Sequence, residues 1–259
     1  MSVRLLVSVR SPDEVAASLE GGADIIDAKE PRLGALGPVA PEVLTAIDGR
    51  VPLDVPLSVA LGDAASARSV DGAIAGLPLR PRARLYLKLA FTGEGGEPEV
   101  AMLLRAATGA AARHPAAPRI IAVVYADDAG GEPAAYRIRR AARRAGVAGI
   151  LVDTVGKDGR TLFDWWSVER LRHWIHGVRA DGLEAALAGS LGATDLGRIA
   201  DLGPDVVGVR GAVCAGGRTG SVEAARVRAL RAAIPRGPGV IVANDQTDRL
   251  PRLKEVISK

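Results

Sequence analysis

Cysteine is all but missing from this 259-residue chain, whose single Cys214 excludes an intrachain disulfide, a Cys-x-x-Cys redox pair and a cysteine-rich zinc site. It reads as a small buried side chain rather than a nucleophile. Aromatic residues make up only 3% of the sequence, which leaves base-stacking recognition of nucleic acid little to work with. Nowhere do 18 or more apolar residues follow one another, and the opening Met1 to Arg10 lacks the apolar stretch and small-residue cleavage site of a signal peptide. A soluble cytoplasmic protein without a membrane partner is expected. The glycine patterns of dinucleotide-binding turns and of Walker A loops are both absent.

Lysine is the scarcest of the common charged residues. Lys and Arg together number 34, but only Lys29, Lys88, Lys157, Lys254 and Lys259 are lysine. Surface charge is supplied by guanidinium, so a lysine kept within an apolar strand points to something arginine cannot do. Only the amine can shed its proton and attack a carbonyl. Snorkelling or ion-paired lysines are the plainer alternative.

The formal charge of +4 and the run Arg137 to Arg144 raise the question of nucleic acid. The helical spacing of that run makes it a solvated face first, and a basic balance equally suits an enzyme that draws in phosphorylated metabolites. No nucleic-acid partner is expected.

Apolar, β-rich runs alternate with helical patterns along the whole chain, the signal for βα units around a parallel sheet. Eight strands are predicted, over 4–9, 23–28, 57–61, 84–90, 119–125, 149–154, 184–188 and 205–209. The helices that follow them are predicted over 12–20, 41–47, 64–75, 98–113, 133–145, 167–180, 194–202 and 221–234. Ser11, Ser167 and Thr194 are placed to cap helix starts, and Gly21, Gly146, Gly182 and Gly203 to end helices. Eight consecutive units favour an α/β fold of the closed (β/α)8 type over residues 1–234. Residues 235–259 form a short C-terminal extension that could cover the barrel bottom or reach a neighbouring subunit, so a homo-oligomer stays open.

The active site of such a barrel lies where the strands end. Lys29, Lys88, Asp153 with Lys157, and Arg210 fall there, on the second, fourth, sixth and eighth strands. Strand periodicity puts Asp27 and Lys29 on one face and Tyr86 and Lys88 on one face. A Schiff-base lysine must be neutral to attack, whereas an exposed one titrates near about 10.4. Lys88 or Lys157 beside Lys29 would lower that value, while Asp27 and Glu30 would oppose the change yet can shuttle protons. Ion pairing with these lysines is as good an explanation of Asp27 and Asp153 as catalysis. After the last two strands come two glycine-bearing turns, with Gly189 and Ser190 in one and Gly208, Arg210 and Gly211 in the other. Backbone N–H groups, the Ser190 hydroxyl and the Arg210 guanidinium are the candidate phosphate donors. His173 and His176 lack partners at ligand spacing, so no metal is expected. Trp165 and Trp166 are expected to cover the barrel or an interface.

Together, Gly21-Gly22-Ala23-Asp24-Ile25-Ile26-Asp27-Ala28-Lys29-Glu30-Pro31, Leu33 to Gly37, Asp153-Thr154-Val155-Gly156-Lys157-Asp158-Gly159, Leu187 to Ser190 and Asp205 to Ala212 resemble the (5-formylfuran-3-yl)methyl phosphate synthase family. The same family is called 4-(hydroxymethyl)-2-furancarboxaldehyde-phosphate synthase. The resemblance runs from about Leu5 to the last barrel helix. It implies a cofactor-independent lyase that condenses two glyceraldehyde 3-phosphate molecules into a phosphorylated furan aldehyde for a methanofuran-type one-carbon carrier. It further implies Lys29 as the Schiff-base lysine and Lys88 as a proton acceptor, assisted by Asp27, Asp153 and Lys157. Another Schiff-base barrel aldolase acting on a phosphosugar or keto acid is the nearer alternative, and a basic nucleic-acid-binding protein the more distant one.

Overall fold

The computed structural model describes residues 3–91, 96–128, 130–156 and 158–234. Eight parallel strands close into a barrel in chain order: β1 (Arg4–Val9), β2 (Ile25–Ala28), β3 (Leu57–Asp63), β4 (Leu85–Ala90), β5 (Arg119–Tyr125), β6 (Gly149–Asp153), β7 (Glu184–Leu187) and β8 (Val206–Val209). Around it run α1 (Asp13–Glu20), α2 (Pro41–Arg50), α3 (Ala67–Ala75), α4 (Glu97–Arg113), α5 (Gly131–Ala145), α6 (Val168–Ala180), α7 (Leu196–Leu202) and α8 (Ala224–Ala233). Pairing of β1 with both β2 and β8 closes the ring. The eightfold βα reading of the sequence is the fold observed. The predicted extension 235–259 lies outside the described residues.

Alternation along each strand divides the apolar residues into two layers. Leu5, Val7 and Val9, with Ile26, Leu57, Val59, Leu85, Leu87 and Leu89, face outward and pack under the helices. Each such side chain, once fully buried, contributes about 1.5–3 kcal/mol. On α5 the apolar positions Ala134, Ala135, Ile138, Ala141 and Ala142 recur at helical spacing and are buried, so its arginines point outward. Four of those arginines are engaged by two carboxylates: Arg139 and Arg143 pair with Asp181, and Arg140 and Arg144 with Glu97. The second layer lines the barrel interior, where small residues such as Ser8, Ser58, Ala186 and Gly208 alternate with larger ones such as Leu6, Ile25, Tyr86 and Leu151.

Three helix starts differ from expectation. Ser11 makes no side-chain cap, because Pro12 occupies the cap position of α1. Ser221 does not begin a helix. With Val222 it forms β10 (Ser221–Val222), antiparallel to β9 (Cys214–Ala215), and α8 starts after it. The turn between these strands carries Gly216, Gly217 and Gly220, and a Cβ on Gly220 would lie 1.6 Å from the Ala215 carbonyl oxygen. Only glycine closes this hairpin. Thr194 does not cap α7 either: it lies within a 3-10 turn, Ala193–Asp195, and Asp195 holds the cap position without a side-chain cap. Other signals hold: Ser167 Oγ accepts from Arg170 N at 3.2 Å, and Gly146 and Gly203 end their helices in the left-handed conformation.

Candidate active site

A cavity of about 300 Å³ runs along the barrel axis, from Arg210, Gly211 and Arg218 at the C-terminal rim to Glu184 at the start of β7. Barrels of this type usually fill that space with bulky branched side chains. Here Ser8, Ser58, Ala186, Ala188 and Gly208 line it, and the small volumes leave it open. Its floor is tied by Arg4, whose Nη2 donates to Glu184 Oε2 at 2.7 Å.

Lys29, Lys88 and Asp153 stand on the cavity wall, and each is at least nine-tenths buried. Inward alternation carries Tyr86 and Lys88 there together, as strand periodicity predicts. Asp27 shares the inward face of β2 with Lys29 and is fully buried among these side chains. Lys88 Nζ lies 2.7 Å from Asp27 Oδ1 and donates at 2.8 Å to Oδ2, while Ser8 Oγ donates to Oδ2 at 2.7 Å. Burial opposes a charge on Asp27, but the ammonium groups of Lys88 and Lys29 and the two side-chain hydrogen bonds outweigh it. The carboxyl is held below its ordinary value. The pair thus stores one proton next to the nucleophile candidate. Asp153 accepts at Oδ1 from the Thr154 amide at 2.7 Å. Lys157 lies outside the described residues.

The two glycine turns reach the same cavity. Gly189, with φ +107, and Ser190, with φ +54, line it together with Gly192. A side chain on Gly189 would approach Thr154 Cγ2 to 3.0 Å, so left-handed backbone and crowding both require glycine. Gly208 and Gly211 line it from β8 and beyond.

Arg210 is placed as the sequence suggested but is otherwise engaged. Its Nε donates to Arg218 O at 2.7 Å; Nη1 donates to Ser8 O at 2.8 Å and Glu14 Oε2 at 2.9 Å; Nη2 donates to Glu14 Oε1 at 3.2 Å and Gly220 O at 2.9 Å. A guanidinium has five N–H donors, and every one is spent on protein. The phosphate role expected of Arg210 is therefore replaced by a structural one: it clamps the β9–β10 hairpin to β1 and α1. The decisive partner, Glu14, also accepts from Arg10 N at 2.8 Å and has no signal in the sequence beyond an early acid in a helix. Arg218, at the tip of that hairpin and on the cavity wall, went unpredicted. Its signal was a lone arginine between Gly217 and Gly220.

Other candidates fall away from the cavity. Trp166 is buried, donates through Nε1 to Ala126 O at 3.2 Å and packs edge-on against Trp174, so it covers the barrel wall. His173 binds the Glu169 carbonyl of its own helix through Nδ1, at 2.9 Å. Cys214 is buried, and desolvation holds its thiol above the ordinary value.

Against known proteins, residues 5–231 match the model of a family described as 4-HFC-P synthase. The chain belongs to this family. Its relatives there include a (5-formylfuran-3-yl)methyl phosphate synthase of Methanopyrus kandleri, 36% identical over 90% of this chain and 100% of that one. The synthase of Methanothermobacter thermautotrophicus is 33% identical over 88% of this chain and 97% of its own length. A Methylorubrum extorquens protein provisionally given the same name is 38% identical over 91% and 93%. Among solved structures, phosphoribosyl anthranilate isomerase from Thermus thermophilus superposes with a TM-score of 0.59 at 16% identity, covering 89% of this chain and 98% of that one. KGPDC from Streptococcus mutans gives 0.59 at 15% identity over 89% and 96%. These likenesses show the barrel fold, and the names of the synthase relatives indicate an enzyme. Among the described residues no helix is long and apolar enough to cross a membrane, and no group of three or more His, Cys, Asp or Glu residues could hold a metal ion.

Proposed function

We propose that this chain condenses two molecules of glyceraldehyde 3-phosphate into (5-formylfuran-3-yl)methyl phosphate, acting as a lyase through a Schiff base on Lys29. The product would feed a methanofuran-type carrier. One observation carries the reading: a buried lysine–aspartate pair, Lys88 with Asp27, set beside Lys29 in a single cavity of the barrel. Imine chemistry needs a nucleophilic amine and a proton that can go out and come back, and these residues supply both.

The Lys29 amine adds to the aldehyde carbon of one triose phosphate. Lys88 gives its proton to the carbinolamine oxygen, which leaves as water, and the neutral Lys88 amine then takes the proton from the adjacent carbon. Asp27 does not touch substrate; it positions Lys88 and balances its charge. The resulting enamine carbon forms the new C–C bond to the second aldehyde. Loss of one phosphate, ring closure through a hydroxyl, dehydration and hydrolysis of the imine free the product and Lys29. The atoms balance with one phosphate and two waters released and no oxidant. Aromatisation of the ring makes the sequence effectively irreversible. Asp153 and Lys157 would assist the proton transfers, and the Gly189–Ser190 and Gly208–Gly211 turns would offer N–H groups to phosphate oxygens.

The arginine face of α5 supports this reading over nucleic-acid binding, because four of its guanidinium groups are already paired with Asp181 and Glu97. The test is borohydride trapping with glyceraldehyde 3-phosphate, peptide mapping and analysis of the untrapped product. A triose adduct on Lys29 in the intact chain, absent from a folded Lys29→Ala variant, together with furan aldehyde phosphate in solution, is the expected result. A Lys29 adduct without the furan product would leave a Schiff-base aldolase of another substrate, and a folded Lys29→Ala variant with full turnover would reject the imine.

A further inference from the structure

Of the described residues, four carry a cationic side chain on the cavity wall: Lys29, Lys88, Arg210 and Arg218. Lys88 is engaged with Asp27, and Arg210 has no donor left. On the reading above, Lys29 belongs to the carbonyl carbon. A phosphate monoester brought into this cavity carries close to two negative charges, and burying them without a matched cation is costly. Arg218 is the remaining guanidinium.

Its surroundings are built for an anion. Arg218 is half-buried at the rim and makes one side-chain hydrogen bond among the described residues, from Nη2 to Gly34 O at 2.6 Å, which leaves most of its donors unspent. It forms no ion pair with any described residue; Asp153 and Glu30 act on it only through space. The turn that presents it is held rigidly. Gly216 and Gly217 adopt φ +74 and +75, and the Arg210 guanidinium grips the carbonyls of Arg218 and Gly220 at 2.7 and 2.9 Å. Desolvation and the nearby Arg210 charge both disfavour the Arg218 cation, an imbalance that a bound dianion relieves. Gly34 belongs to the loop that follows Lys29, so Arg218 bridges the loops after β2 and β8, the two strands that flank β1.

We propose that Arg218 is the side chain that takes the phosphate group of the substrate, with Arg210 and Glu14 acting as positioning residues behind it. This rests on the substrate class proposed above. A guanidinium fork binds phosphate oxygens in two parallel hydrogen bonds, a geometry that lysine does not reproduce.

The test separates phosphate recognition from aldehyde chemistry by measuring calorimetric binding of glycerol 3-phosphate, and of glycerol as control, to the full chain. Arg218→Ala should weaken glycerol 3-phosphate binding on the order of 10- to 100-fold, with Arg218→Lys intermediate. With glyceraldehyde 3-phosphate the same variants should lose mainly through KM. Borohydride trapping of unphosphorylated glyceraldehyde on Lys29 should persist in Arg218→Ala, which also shows that the variant is folded. Equal glycerol 3-phosphate affinity in wild type and Arg218→Ala, or no binding by the wild type, would overturn the proposal. If binding depends on Arg218 yet no furan is formed, the phosphate site stands and the named reaction falls.

Discussion

Lys88 and Asp27 meet across the inside of the barrel, the ammonium nitrogen 2.7 Å from Oδ1 and 2.8 Å from Oδ2, although β3 separates their strands. Neither residue exceeds 3% exposure. Removing one partner of such a pair leaves a buried charge and costs about 3–5 kcal/mol. Lys88→Met should therefore lower stability by that order in denaturant unfolding. Asp27 has a folded pKa below its ordinary 3.8, so its contribution is complete at neutral pH and is lost as pH falls through the folded value. Without the Lys88 ammonium, burial disfavours the Asp27 charge, and the acid unfolding midpoint should move up. A midpoint that stays put would mean that the pair does not hold the Asp27 charge.

A second buried pair predicts the reverse balance between stability and chemistry. Arg210 and Glu14 meet at 2.9 and 3.2 Å with both side chains under a tenth exposed, and neither is assigned to the reacting atoms. Arg210→Lys cannot restore five hydrogen bonds and should cost about 2–4 kcal/mol, as should Glu14→Gln, which keeps the shape and removes the charge. The two together should cost less than the sum, because each single variant already breaks the same clamp. Simple additivity in a double-mutant cycle would count against the clamp.

Sequence periodicity made the barrel legible because strand burial and helical arginine faces are local patterns. Lys29 was legible for a different reason, since lysine is rare and this one ends an apolar strand. What local pattern could not show was who meets whom. Arg210 at a strand end has the look of a phosphate donor until Glu14, 196 residues away, is seen to consume it. Asp27 and Lys29 share a strand face, but only ring closure brings Lys88 to Asp27 from 61 residues away. Arg218 was hidden in the glycine-rich stretch between the predicted eighth strand and the last predicted helix, where three glycines fold a hairpin.

Gly189 offers a backbone test of the turn after β7. At φ +107 an L side chain is strained by about 1–3 kcal/mol, and its Cβ would also press on Thr154 at 3.0 Å. Gly189→Ala should lower stability by about 2 kcal/mol and, because Thr154 follows Asp153, should raise KM for glyceraldehyde 3-phosphate. An unchanged melting temperature would show that the turn relaxes freely.

The open cavity supplies the last test, because it separates stability from turnover. Ala186 lies on the wall midway down β7, with Leu151 of β6 and Val206 of β8 on the same wall. Ala186→Leu adds apolar volume to a space that other barrels fill, and each buried methylene contributes about 0.8 kcal/mol. The melting temperature should hold or rise. Turnover should fall by about 100-fold or more, since the second triose loses its room and a misplacement of one ångström is enough for that loss. Trapping of the two-carbon probe glycolaldehyde on Lys29 should survive, because the amine itself is untouched. Full activity in a stable Ala186→Leu protein would move the condensation out of the barrel interior altogether, since no other described wall holds Lys29 and Lys88 together.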